Sequence, residues 1–238
     1  MHMRNGFRRV KMRLGRNEEY DRAALEAVLR GISPDGEVMV DGSHQYTVES
    51  ATRLGEFLSS KKKVFWFEEP FAPEDLDSYV ALRKKISIPI AAGENEFGVQ
   101  GFRELLRVGA IDIAQADASR AGGITECLRI GRLAADSNAK VAPHTWSDAV
   151  AVMANAHVVA ALKNGLTVEV DQTGNPFIDK LLGNPLRIIN GQLQLPQAPG
   201  LGIELDQDVV KSLTLPENSH VPDGNYSDMI FGTNYAKL

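Results

Sequence analysis

Seven short runs rich in β-branched or aromatic residues each close on a polar side chain, and those side chains fall in step along the sequence: Arg13, Asp41, Glu68, Glu94, Asp117, His144 and Glu169. Subtracting their numbers gives intervals of 28, 27, 26, 23, 27 and 25 residues. An interval of that size holds one strand, one helix and two connections, and a helix between strands returns the chain for parallel pairing. The runs are approximately Arg8–Arg13, Glu37–Asp41, Val64–Glu68, Ile90–Gly93, Ile113–Ala116, Lys140–Pro143 and Thr167–Val170. Helical patterns lie between or after them at Asn17–Leu29, Val48–Leu58, Asp75–Lys85, Gly101–Arg107, Ile124–Asp136 and Ala149–Leu162.

Repeated βα units predict an α/β fold of the TIM-type (β/α) barrel kind, incomplete, with about seven parallel strands over residues 1–205. Such a barrel places all its strand ends at one mouth, so the period brings five acids, a histidine and an arginine around one cavity. Solvated loops explain that poorly, because a charge at a strand end beside a core costs several kcal/mol to bury. Past Asp171 the pattern gives way to turns at Gly174–Pro176, Gly183–Pro185 and Pro199–Gly202, then to a tail over 206–238 that is polar from Pro216 and has no predicted catalytic role.

Composition narrows the function classes. With 43% hydrophobic and 24% charged residues in 238, the chain can bury a large core. The formal net charge of −5 leaves no basic footprint for nucleic acid, and Lys61, Lys62 and Lys63 read as a solvated loop. No apolar run approaches a membrane span, and Met1–Val10 lacks the apolar core of a signal peptide. The single cysteine, Cys127, excludes an internal disulfide. A cytoplasmic location is the expectation.

Asp41, Glu68 and Glu94 end three successive predicted strands, and three carboxylates converging on one cavity repel each other unless a cation sits among them. Hard oxygen donors favour Mg²⁺ over Zn²⁺, with Mn²⁺ a workable substitute. Alternation along the strand admits only one of Glu68 and Glu69 to the mouth without saying which. Asp117 and His144 end the next two strands, where a carboxylate–imidazole hydrogen bond would fix the ring tautomer and make a proton-transfer base. Lys11 and Arg13 share a strand face on the side opposite His144 and offer positive charge to a substrate anion. Arginine is too strong a conjugate acid to serve as a base, so Arg13 is cast as a carboxylate clamp or field element, and Lys11 as an electrostatic group or a second base.

These residues resemble the enolase superfamily, and within it the mandelate racemase-like subgroup that includes many acid-sugar dehydratases. The motifs that carry the likeness are Val-Lys-Met-Arg at 10–13, Val-Asp-Gly at 40–42, Phe-Glu-Glu-Pro at 67–70, Gly-Glu-Asn at 93–95, Asp-Ala-Ser-Arg-Ala-Gly-Gly at 117–123 and Pro-His-Thr-Trp at 143–146. The resemblance implies Asp41, Glu68 and Glu94 as Mg²⁺ ligands, which selects Glu68 over Glu69. It implies Asp117 with His144 as the proton-transfer pair and Glu169 as a hydrogen-bond partner of a substrate carboxylate, with Asp171 the alternative to Glu169. The first βα unit and the N-terminal capping domain of the family are missing from the sequence given.

Further departures are Arg13 where many relatives have a second lysine, Ala116 where proline is frequent, and Ser43 where asparagine is common. Loss of the second lysine favours dehydration of a sugar acid over racemisation or epimerisation on the same site. A weakly active or inactive barrel fragment that binds a metal or assembles with a partner is the reading of another class. Open sheet edges predict a homo-oligomer. His44 reads as a surface-loop residue, and His2, His157 and His220 fall outside the period.

Overall fold

The computed structural model describes residues 6–217, and the chain divides at Leu205 into two compact units. In the first unit six parallel strands pair strictly in chain order: β1 (Arg9–Arg13), β2 (Glu37–Asp41), β3 (Val64–Glu68), β4 (Ile90–Ala92), β5 (Ile113–Ala114) and β6 (Lys140–Val141). Helices α1 (Glu18–Gly31), α2 (Val48–Ser59), α3 (Leu76–Arg83), α4 (Val99–Arg107) and α5 (Ile124–Asp136) connect them, and α6 (Ala149–Ala161) follows β6. This is the α/β, partial-barrel architecture that the period predicts. The short helix α7 (Pro176–Asp179) and the antiparallel hairpin of β7 (Ile188–Ile189) and β8 (Gln192–Leu193) complete the unit. The second unit contributes α8 (Gln207–Leu213), capped by Asp206. His2, His220 and the tail beyond residue 217 lie outside the described residues.

The predicted seventh strand, Thr167–Val170, does not form. Pairing to β6 comes earlier and is confined to a parallel bridge between Val141 and Gly165, with Leu166 N donating to Val141 O at 2.8 Å. A strand needs ladder partners to persist, and this run has β6 on one side and no sheet partner on the other among the described residues. Side-chain contacts at the mouth position the segment beyond Leu166 instead.

Alternation sorts the strand residues into two cores. Val38, Val40, Phe67, Ile90, Ala92, Ala114 and Val141 face the helices in the larger cluster. Trp66, Ala91, Ile113 and Ala142, with Met39, Phe65 and Leu166 against them, fill the inside of the curved sheet. The inner face continues two residues on from Met39 to Asp41, from Trp66 to Glu68 and from Ala142 to His144, and four on from Ile113 to Asp117. Apolar filling below thus gives way to polar groups at one end.

Local chemistry sets where each helix starts. Asn17, Thr47, Asp75 and Asp148 accept hydrogen bonds from first-turn amides of α1, α2, α3 and α6. One carboxylate ties two loops together: Asp21, fully buried, accepts from Gly15 N, from Arg16 N at 3.2 Å and from the Tyr46 hydroxyl at 2.8 Å. Replacing Asp21 with Ala removes the shared acceptor of these three part-buried donors at once. The expected loss is about 3 kcal/mol of unfolding free energy, read as a lowered urea midpoint with an unchanged slope.

Candidate active site

Lys11, from the inner face of β1, lies at the centre of the mouth. Its Nζ is 2.6 Å from Glu68 Oε1, 2.9 Å from Glu169 Oε1 and 4.0 Å from Asp41 Oδ2. Burial disfavours the ammonium, but Glu68, Glu169 and Asp41 together outweigh burial and hold it above the ordinary lysine range. Arg13, two residues on, donates to Asp41 Oδ2 from Nη2 at 3.0 Å and places its guanidinium 5.2 Å from the centre of the Trp146 ring. Lys11–Glu169 and Arg13–Trp146 therefore bridge β1 to the segments after β6, across a seam that no sheet hydrogen bond spans among the described residues.

Asp41 and Glu68 are direct partners across the β2–β3 pairing, and Glu68 in turn pairs with Ala91, three residues before Glu94. Parity is now settled: Glu68 enters the mouth, and Glu69 turns away to His44, Asn95 and the amide of Gly93. Gly93, at φ +120°, is required there, since a Cβ would lie 2.4 Å from the Phe102 ring. Burial, then the charges of Asp41 and Glu169, push the Glu68 carboxyl up to about 7 against the pull of Lys11. Burial likewise raises Glu94, with Glu69 and Asp41 adding to it and His144 opposing.

The three acids thus share one buried field. They are not gathered around a point, however: among the described residues no three acidic, histidine or cysteine side chains are arranged to hold a metal ion. The convergence expected from the sequence is electrostatic, with Lys11 and Arg13 taking the oxygens of Glu68 and Asp41. As donor chemistry, three hard carboxylates in mutual repulsion fit a divalent cation of the Mg²⁺ type.

Asp117 and His144 meet as predicted, with Nδ1 of the ring 3.0 Å from Asp117 Oδ2 and both side chains almost fully buried. The carboxylate reserves Nδ1 and leaves Nε2, which lies 3.7 Å from Glu94 Oε2. Burial works against charge on the ring, but Asp117, Glu94 and Glu169 outweigh it and raise His144 above the ordinary histidine range. On Asp117 burial is outweighed by hydrogen bonds from His144, Asn155 and Ser119, which bring it down to about 2. Glu169 accepts from Thr145 N at 2.9 Å as well as pairing with Lys11, and those contacts hold it below the usual carboxylate range despite its burial. Asp171, the alternative to Glu169, instead accepts from the amide of Thr173 in its own loop.

Sequence reasoning missed three participants. Asn155, fully buried on α6, donates to Asp117 Oδ1 at 3.0 Å, to His144 O at 3.1 Å and to Thr145 Oγ1 at 3.0 Å, while its Oδ1 accepts from Ala118 N at 2.8 Å. An asparagine inside the largely apolar run Ala149–Ala161 was the available signal, since a buried amide needs partners. Trp66 donates its indole N–H to Glu68 Oε2 at 2.9 Å, and the alternation that selects Glu68 also selects Trp66. His44, read as a surface-loop residue, instead bonds buried Glu69 through Nε2. His157 lies off the site, hydrogen-bonded to Leu201 O.

The raised His144 fixes the sign of a pH effect. Its contribution to stability is fully present below the unfolded histidine value of about 6.5 and is lost as pH rises through the folded value. His144→Gln should therefore cost more stability at pH 5 than at pH 8, measured by urea unfolding of both proteins at each pH.

Comparison with known proteins follows the geometry. Residues 1–209 match the family described as Enolase C-terminal domain-like. The chain is 36% identical over 220 residues to D-galactarolactone cycloisomerase of Agrobacterium fabrum, covering 89% of this chain and 58% of that protein. It is 32% identical over 209 residues to arabinonate dehydratase of Saccharolobus solfataricus, covering 87% and 56%. The crystal structure of 3,6-anhydro-D-galactonate cycloisomerase from Zobellia galactanivorans superposes with a TM-score of 0.83 at 37% identity, covering 89% of this chain and 60% of that one. L-talarate dehydratase from Polaromonas sp. JS666, complexed with Mg and L-glucarate, gives 0.79 at 28% identity, covering 88% and 54%. The chain thus spans little more than half the length of these relatives. Its fold, its strand-end residues and the match along almost all of its first unit agree: the chain belongs to the enolase C-terminal domain-like family, among the mandelate racemase-like members of the enolase superfamily.

Proposed function

We propose that this site removes the α-proton of a sugar-acid carboxylate and expels the β-hydroxyl as water. The observation that carries the reading is the buried Asp117–His144 pair, whose Nε2 lies 3.7 Å from Glu94 Oε2 and faces a mouth that also holds Lys11 and Glu169. Relatives that act on sugar acids as dehydratases or cycloisomerases support the same substrate class.

Each residue has a part in that chemistry. With Nδ1 committed to Asp117, neutral His144 takes the α-proton at Nε2 and returns it to the departing hydroxyl, so one group serves as base and then acid. Lys11 and Arg13, already oriented by Glu68 and Asp41, offset the negative charge that develops on the substrate carboxylate. Glu169, fixed by Lys11 and Thr145 N, orients the carboxylate group. Asn155 holds Asp117 so that the ring keeps its tautomer. Asp41, Glu68 and Glu94 would hold Mg²⁺, or Mn²⁺ in its place, which when bound supplies the Lewis acidity that a weakly acidic α-proton demands.

Racemisation needs a second base on the opposite face. Lys11 stands there, but its three carboxylate neighbours keep it protonated, so it donates and does not accept. Dehydration is favoured on that ground. The backbone edge of β1, which pairs with β2 alone among the described residues, supports self-association of the chain.

The test is direct. The protein with Mg²⁺ is incubated with a panel of mono- and diacid sugars and assayed for 2-keto-3-deoxy products. Turnover of at least one member is expected, with His144→Ala lowering it about 10²- to 10⁴-fold and Glu94→Gln abolishing Mn²⁺ binding in a calorimetric titration. No product from any member at high enzyme, or Mn²⁺ affinity untouched by Glu94→Gln, overturns the reading.

A further inference from the structure

The loop after β2 carries an imidazole that the proposed chemistry leaves unused. His44 Nε2 is hydrogen-bonded to Oε2 of Glu69, and its own backbone N–H donates to Glu69 O at 2.8 Å. Glu69 is 2% exposed, and its carboxylate also receives Gly93 N at 3.1 Å and Asn95 Nδ2 at 3.0 Å. One buried carboxylate therefore fixes His44 and joins the loops that follow β2, β3 and β4. His44 Nδ1 has no protein partner within hydrogen-bond distance among the described residues.

Backbone strain marks the same place. Ser43, His44 and Glu69 all have left-handed conformations, at φ 47°, 61° and 36°. For residues with a Cβ this conformation is strained and persists only where surrounding contacts over-determine it, commonly at ligand sites. Glu94 follows Gly93, whose amide Glu69 receives, so the loop that carries His44 is tied beside the strand ends that carry Asp41, Glu68 and Glu94. The two rings differ in depth: the His144 side chain is 2% exposed and that of His44 is 32% exposed.

We propose that His44, on the loop after β2 at the rim of this mouth, is a substrate-contacting residue, binding through Nδ1 a hydroxyl group of a polyhydroxy carboxylate that lies further along the molecule than the carbon His144 deprotonates. The proposal rests on the sugar-acid reading above. Glu69 makes the choice of nitrogen, because a ring tied at Nε2 has only Nδ1 left to offer. A hydroxyl both gives and accepts hydrogen bonds, so it is matched by Nδ1 in either protonation state. The half-open setting of His44 suits the outer part of an extended ligand, as the closed setting of His144 suits the reacting carbon. A purely structural clamp would account for the Nε2 contact but would leave the ring unaffected by ligand.

The experiment follows the histidine rings of the full chain by ¹⁵N–¹H correlation with ¹⁵N-histidine labelling, assigned with His144→Gln and His157→Gln. Six-carbon aldonates and aldarates are titrated in the presence of Mg²⁺, with glycolate as the short acid that has no distal hydroxyl. With a long acid both His44 and His144 signals should shift. With glycolate His144 alone should shift. In parallel, His44→Gln should weaken binding of the long acid about tenfold, the loss of one well-placed hydrogen bond, while leaving glycolate binding in place. A long acid that moves His144 but not His44 overturns the proposal and leaves the sugar-acid reading standing. If no acid moves either ring, that reading fails and this one with it. Should His44→Gln not fold, the wild-type spectra still decide, and Glu69→Gln, which keeps the side-chain shape, replaces it as the variant.

Discussion

The ammonium of Lys11 among Glu68, Glu169 and Asp41 is the contact on which the arrangement of the mouth depends. It does two physical jobs. It offsets like charges that adjacent strand ends force together, a repulsion expressed in the elevated Glu68 carboxyl. It also links the first strand to Glu169, on the segment that follows β6, where backbone pairing does not reach. A buried charge left alone would cost far more than the Coulomb attraction of any single partner returns, so the cluster holds together as a set or not at all.

The two halves of the mouth are built differently. On the β2–β4 side the loops are tied by backbone amides and side chains converging on Glu69, so their geometry is set by short, directional bonds. On the β6 side the imidazole is set by Asp117, and Asp117 by an asparagine from a helix. Between them the seam relies on charge and on a guanidinium over an indole ring, interactions that tolerate small displacements. Directional contacts thus hold the acids and the imidazole, while softer ones hold the place where the sheet stops.

Much of this was legible in the sequence, for a definite reason. Strand alternation and the repeat length are local properties, and together they specify which side chains reach one end of a parallel sheet. Asp117 and His144, successive members of the period, are paired, and Glu169 is paired with Lys11, which shares a strand face with Arg13. What escaped depends on long-range partners. Thr167–Val170 has the composition of a strand, yet strand formation is decided by neighbours, and it has only β6. His44 looks like a loop residue until Glu69, 25 positions away, is brought under it. The joint placement of Asp41, Glu68 and Glu94 was legible as adjacency but not as distance, because the cations that take their oxygens come from another strand.

Asn155 ties α6 to the Asp117–His144 pair. Its amide nitrogen touches the aspartate, the carbonyl of the histidine and the neighbouring threonine, and its oxygen receives the amide that follows the aspartate. A slide of that helix by even a fraction of a turn would break all four bonds together. The setting of the His144 ring is thereby geared to the docking of an outer helix as well as to the groups at the mouth itself.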